Sequence, residues 1–177
     1  MKRRNISLAL VVALLAGVVV AKADDKTTSP TSASSPRFDA LKKLAGDWVE
    51  IKDGKPTETV VSSIRVTAAG STVQETLFPG TPHEMVTMYH LDGDDLVLTH
   101  FCILGNQPRM RAEPGKDADH LVFKFTGGGN LKSSDTKHMD QAKLTILDRD
   151  HFQSEWTACE SGKECHKVNF DLVRKHE

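Results

Sequence analysis

The chain is short of ready-made catalytic signatures. It has no glycine-rich phosphate loop, no Cys-x-x-Cys pair, no His-Glu-x-x-His and no Gly-x-Ser-x-Gly, which removes the chemistries that those spacings serve. There is no internal repeat. Charge of one sign is also lacking: 23 basic residues stand against 24 acidic ones. Cysteine occurs only three times, and never near the N-terminus, so a lipoprotein anchor is not expected.

What the N-terminus does contain reads as an export signal. Lys2, Arg3 and Arg4 precede an apolar run from Ile6 to Val20, and Ala21-Lys22-Ala23 has the small-x-small cleavage pattern. The run is too short for a transmembrane helix with its own anchors. Removing residues 1–23 takes away four basic residues and leaves 19 against 24 acidic ones, a net charge of −5. A mildly acidic surface argues against nucleic acid or anionic lipid as partner. The expected product is periplasmic or secreted and monomeric, with no stable membrane insertion after cleavage.

Residues 24–36 are rich in Ser, Thr and Pro and have no apolar periodicity, so they read as a flexible linker. One folded domain is expected over residues 37–177. It opens with a short helix over 38–45, in which Phe38, Leu41, Leu44 and Ala45 share a face and Gly46 ends the run. From there the pattern has period two, with turn residues every ~8–12 positions. This predicts an all-β fold, an antiparallel up-and-down β-barrel of about ten strands. The strands are placed near 47–52, 58–67, 71–78, 84–91, 96–103, 107–113, 119–126, 138–147, 151–159 and 165–174, with a mobile loop over 127–137.

Turn chemistry sets register, and register sets the faces. Around Ala69-Gly70, Val66 should meet Val73 and Ile64 should meet Glu75, which puts a carboxylate on an apolar face. In the last hairpin Trp156 should oppose Val168 and Phe152 should oppose Leu172. Cys159 then opposes Cys165, close enough for a cross-strand disulfide. Asp148-Arg149-Asp150 should set Ala142 against Trp156 and carry His138 and Asp140 along the inward row.

The stretch from Met88 to Met110 holds His90, His100, Cys102 and Arg109. Gly93-Asp94 suits a two-residue turn, which sends His90 and His100 to opposite faces. Reading Gly105-Asn106 the same way pairs Phe101 with Met110 and Cys102 with Arg109. The expected core face is then Val86, Met88, His90, Val97, Phe101, Ile103 and Met110, with His100, Cys102 and Arg109 outside. Zinc needs three or four donors in one pocket, and this register separates the best candidates.

Leu44-Ala-Gly-Asp-Trp48 resembles the Gly-x-Trp opening of lipocalins and related calycin barrels. The resemblance implies that a short helix leads into the first strand, that Trp48 plugs the barrel base, and that an arginine on the final strand covers it. Arg174 stands where that arginine would be. Fatty-acid-binding and nitrobindin-like barrels are similar in strand number. The stretch from Tyr89 to Met110 also resembles small secreted bacterial proteins of unassigned function, which implies a compartment and no activity. No haem-binding histidine is matched by motif, and no cofactor is specified.

The functional expectation is a barrel that binds a small apolar or amphipathic ligand through Glu75, Met88, His90, Phe101, Met110, Phe123, His138 and Trp156. Mostly apolar lining with few fixed polar groups suits such ligands, although the same residues would serve to fill a small barrel. A metal protein or enzyme centred on His90, His100, Cys102 and Glu75 is an alternative. A protein-interaction patch of His100, Arg109 and Arg111 is another.

Overall fold

A computed structural model of the chain describes residues 35–133, 135–161 and 163–176, the side chains of 163–165 excepted. The expected export signal and all but the last two linker residues lie outside that range. The helix α1 spans Pro36–Lys43, two residues earlier than the periodicity suggests. The Ser-Pro assigned to the linker is its start. The Ser35 hydroxyl accepts from the Phe38 N–H at 3.1 Å, and Pro36 occupies a first-turn position that needs no N–H.

Ten strands follow: β1 Gly46–Lys52, β2 Lys55–Thr67, β3 Thr72–Leu77, β4 Met85–Asp92, β5 Asp95–Phe101, β6 Gln107–Ala112, β7 His120–Gly129, β8 His138–Asp148, β9 His151–Glu160 and β10 Lys163–Arg174. Each pairs with its chain neighbours, and β10 pairs with β1, so the antiparallel meander closes into a barrel. The architecture is the up-and-down barrel that the period-two pattern requires, and it is compatible with a calycin-like fold. No helix among the described residues is long and apolar enough to cross a membrane.

Four hairpins take the register that their turns dictate. Val66 faces Val73 and Ile64 faces Glu75. Trp156 faces Val168 and Phe152 faces Leu172. Ala142 faces Trp156. Across the Gly93-Asp94 turn His90 faces Val97 and Thr87 faces His100, so the two imidazoles do point to opposite sides of the sheet.

The β5–β6 connection departs from expectation. Leu98, not Phe101, faces Met110. The Cys102 N–H donates to the Asn106 carbonyl at 3.1 Å, closing a three-residue loop of Ile103, Leu104 and Gly105. Gly105 is its last residue, with φ +77, a conformation costly for a side chain. The shift is an odd number of residues, so it exchanges the faces. Thr87, Tyr89, Leu98, His100, Cys102 and Met110 are buried. Met88, His90, Val97 and Thr99 are half-buried on the other side, and Phe101 and Ile103 are 45% and 52% exposed. The expectation that His90 lies inside and His100 and Cys102 outside is therefore reversed.

Two further expectations change. β7 continues through Gly129, where a mobile loop was expected, because its glycines let β6 come close. A Cβ on Gly128 would sit 2.8 Å from the Pro108 Cα. In the last hairpin a bulge between Glu164 and His166 pairs Cys159 with Glu164. The side chain of Cys165, and with it the expected bridge, lies outside the described residues.

Closure is fixed at the helix end of the barrel. β1 and β10 share only three residue pairs, from Trp48 with Arg174 to Glu50 with Leu172. There the Arg174 guanidinium lies 4.4 Å over the Trp48 ring. It also donates to the Ala45 carbonyl at 2.7 Å, the Arg149 carbonyl at 2.8 Å and the Asp150 carboxylate at 2.7 Å. The Trp48 indole N–H donates to the Leu44 carbonyl at 2.9 Å, and its ring meets the Phe152 edge at 4.7 Å. Replacing Arg174 by Met removes the stacked charge and several charge-assisted bonds together, so urea unfolding should show a loss of about 2–4 kcal/mol. An unchanged midpoint would show that the clamp does not hold the barrel shut.

Candidate interior binding site

Alternation along closed strands brings a set of polar side chains inside. Across β3, β4 and β5 the inward row runs Glu75, Thr87, His100, each opposite the next. Glu75 is 1% exposed. One of its carboxylate oxygens accepts from the Ser62 hydroxyl at 2.8 Å and the other from the Tyr89 hydroxyl at 2.7 Å. Burial pushes the Glu75 carboxyl up, and these two bonds pull it partly back. Tyr89 is held well above the usual phenol range, first by burial and then by the Glu75 charge.

His100 sits beside this pair. Its Nδ1 is 2.9 Å from the Thr87 hydroxyl, and its ring lies 4.8 Å from that of Trp156 across the barrel. Burial lowers its pKa to about 4, so the ring is neutral near physiological pH. Its Nε2 is buried with no hydrogen-bond partner among the described residues, and so are the Trp156 Nε1 and the Ser154 Oγ on the inward face of β9. Buried polar atoms are nearly always bonded, which makes three such atoms facing one interior notable. No lysine or arginine is among the buried polar residues described.

The expected site residues divide accordingly. Glu75, Met110, Phe123 and Trp156 face the interior, with Phe123 edge-on to Tyr89 at 5.7 Å. His138 is buried, but the β8 bulge pairs it with Cys159, on the face opposite to Met139 and Ala158, so it leaves the inward row. It packs on Phe125 at 4.2 Å, and its Nε2 lies 3.9 Å from the Asp140 carboxylate. Met88, His90 and Phe101 lie on the outer surface, for the reason of parity given above. Thr87 and Tyr89 join the interior where the outer face was expected, while Ser62 and Ser154 lie inside as the registers of their hairpins require, on the faces of Glu75 and Trp156. A signal for Tyr89 existed, since the β4 face opposite to His90 contains it.

No three His, Cys, Asp or Glu side chains among the described residues are grouped to hold a metal ion. His100 and Cys102 share the interior, but His90 is on the far side of the wall. The outer patch also dissolves as a unit. Arg109 and Arg111 are exposed while His100 is not, and Arg111 pairs with Asp95.

Pronounced concavities occur on the outside. One of about 810 Å³ lies beside α1 and the β8–β9 turn, with Ala40, Leu44, Ile146 and Leu147 among its walls. Another, of about 550 Å³, runs over β4–β7 between His90, Arg109 and Arg111. Neither touches the orphaned atoms. No known protein-family model matches the chain, and no curated protein sequence matches it either.

The interior histidine has a consequence for stability. The unfolded chain takes up a proton on His100 near pH 6.5, and the folded one only near pH 4. This contribution is therefore complete above pH 6.5 and is lost as pH falls towards 4, by on the order of 3 kcal/mol. Glu75 works in the opposite sense, since a carboxyl whose pKa is raised by burial costs stability as pH rises through and above its ordinary range. Subtracting the stability–pH profile of His100→Phe from that of the wild type isolates the histidine. The difference should rise from pH 4 to 6.5, and a flat difference would mean that the ring is solvated.

Proposed function

We propose that the protein is an exported, monomeric, lipocalin-like carrier that holds a small apolar or amphipathic molecule inside its barrel. The observation that carries this reading is the set of inward-facing buried polar atoms with no hydrogen-bond partner among the described residues: the Nε2 of His100, the Nε1 of Trp156 and the Oγ of Ser154. They sit within a wall of Tyr89, Met110 and Phe123, which supplies the apolar contact that an amphipath needs.

Access is supported by two incomplete seams at the end of the barrel away from α1. β7 pairs with β8 only up to Lys124 with Gln141. Beyond that, the rings of Phe125 and His138 meet at 4.2 Å. β10 pairs with β1 only from Leu172 onward, and below that point Phe78 covers Phe170 at 5.8 Å. Phe78 holds a left-handed backbone with φ +52, which is strained for an aromatic residue and is a feature of sites that move or bind. Seams closed by side chains in place of ladder bonds open at lower cost than the rest of the wall.

Two measurements test the proposal. Nile red, a neutral lipophilic dye, should bind saturably with one site per chain and gain fluorescence. Native mass spectrometry of protein purified from its own host should show a retained small molecule that displaces the dye. If the dye fails to saturate and nothing is retained, the interior is only a filled core.

A further inference from the structure

The chemistry of the orphaned atoms narrows the ligand, an argument that rests on the binding reading above. An indole N–H can only donate, so whatever satisfies Trp156 must carry an accepting atom. The neighbouring ring of His100, 4.8 Å away, adds no second requirement: its Nδ1 is engaged by the Thr87 hydroxyl, and its Nε2 donates or accepts according to the tautomer. Ser154, which can also donate or accept, tolerates either partner.

Charge decides which oxygen. Glu75 is the one ionisable carboxyl among the buried residues described, and no buried lysine or arginine accompanies it. A carboxylate head brought inside would lie near Glu75 with no counter-ion, and burying an uncompensated charge is costly. His100, neutral at physiological pH because burial lowers its pKa to about 4, does not supply the missing cation. A carbonyl oxygen meets the indole donor and carries no charge. We infer that the interior of this barrel takes uncharged carbonyl compounds with an alkyl chain, such as ketones and esters, and discriminates against the corresponding fatty-acid anions.

A matched series with the same chain length tests this: methyl nonyl ketone, methyl decanoate, decanoate and the plain hydrocarbon, each competing with Nile red near neutral pH. The ketone and the ester should displace the dye at concentrations at least about tenfold lower than decanoate. The hydrocarbon should bind roughly three- to tenfold more weakly than the ketone. Trp156→Phe should lower ketone affinity to that of the hydrocarbon while leaving the hydrocarbon unchanged, and the wild-type series stands independently of whether that variant folds. Decanoate competing as well as the ester would overturn the inference while leaving the binding reading intact. If neither Nile red nor any of the four compounds binds, the binding reading falls and the inference falls with it.

Discussion

Arg174 ties the end of the last strand to the start of the first. The shared ladder between those strands is three residue pairs long, with one further bond from the Lys175 N–H to the Asp47 carbonyl at 2.8 Å. The guanidinium stacked on Trp48 and bonded to carbonyls on both sides of the junction supplies what the ladder lacks. Everything inside depends on that closure. An open sheet would leave Glu75, Tyr89 and His100 in water, where their unusual protonation and missing bonds would not arise. The clamp also lies at the helix end, so the opposite end is where the wall has freedom to part.

Interior polarity separates this barrel from one filled only by apolar side chains. Glu75 is fully served by Ser62 and Tyr89, and that group reads as a finished structural unit. His100 and Trp156 are different. Each has one ring face engaged and one polar atom left over. A core selected for stability alone would favour apolar residues of the same shape at both positions. Their retention fits a site whose missing partner arrives from outside.

Periodicity carried the strand count and the helix, and most hairpin registers followed because tight turns leave few choices of alignment; the Trp48–Arg174 contact was legible only through the resemblance to calycin barrels. Turn chemistry failed at one loop, with a large effect. Gly105 read as the first residue of a two-residue turn is in fact the last of three. A shift of odd length moved His90 and Phe101 outside and brought His100 and Cys102 inside. Counting apolar residues could not correct this, since Met88, Val97, Phe101 and Ile103 outnumber their neighbours on the buried face. A barrel wall leaves such residues exposed at no prohibitive cost. The bulge near Cys165 was likewise invisible, as an extra residue in one strand leaves no mark on period-two patterning. Nor could any local pattern show that His100 and Trp156, from strands far apart in the chain, meet across the interior.

The protein has two tryptophans, and they make a built-in comparison. The Trp48 indole N–H is bonded to the Leu44 carbonyl, whereas that of Trp156 has no partner among the described residues. Their two indole resonances in a ¹⁵N–¹H NMR spectrum, followed while methyl nonyl ketone is added, address the central claim directly. The account predicts that the Trp156 signal moves downfield as its N–H acquires an acceptor, while that of Trp48 stays in place. A spectrum in which the Trp156 signal does not respond to ligand would contradict it.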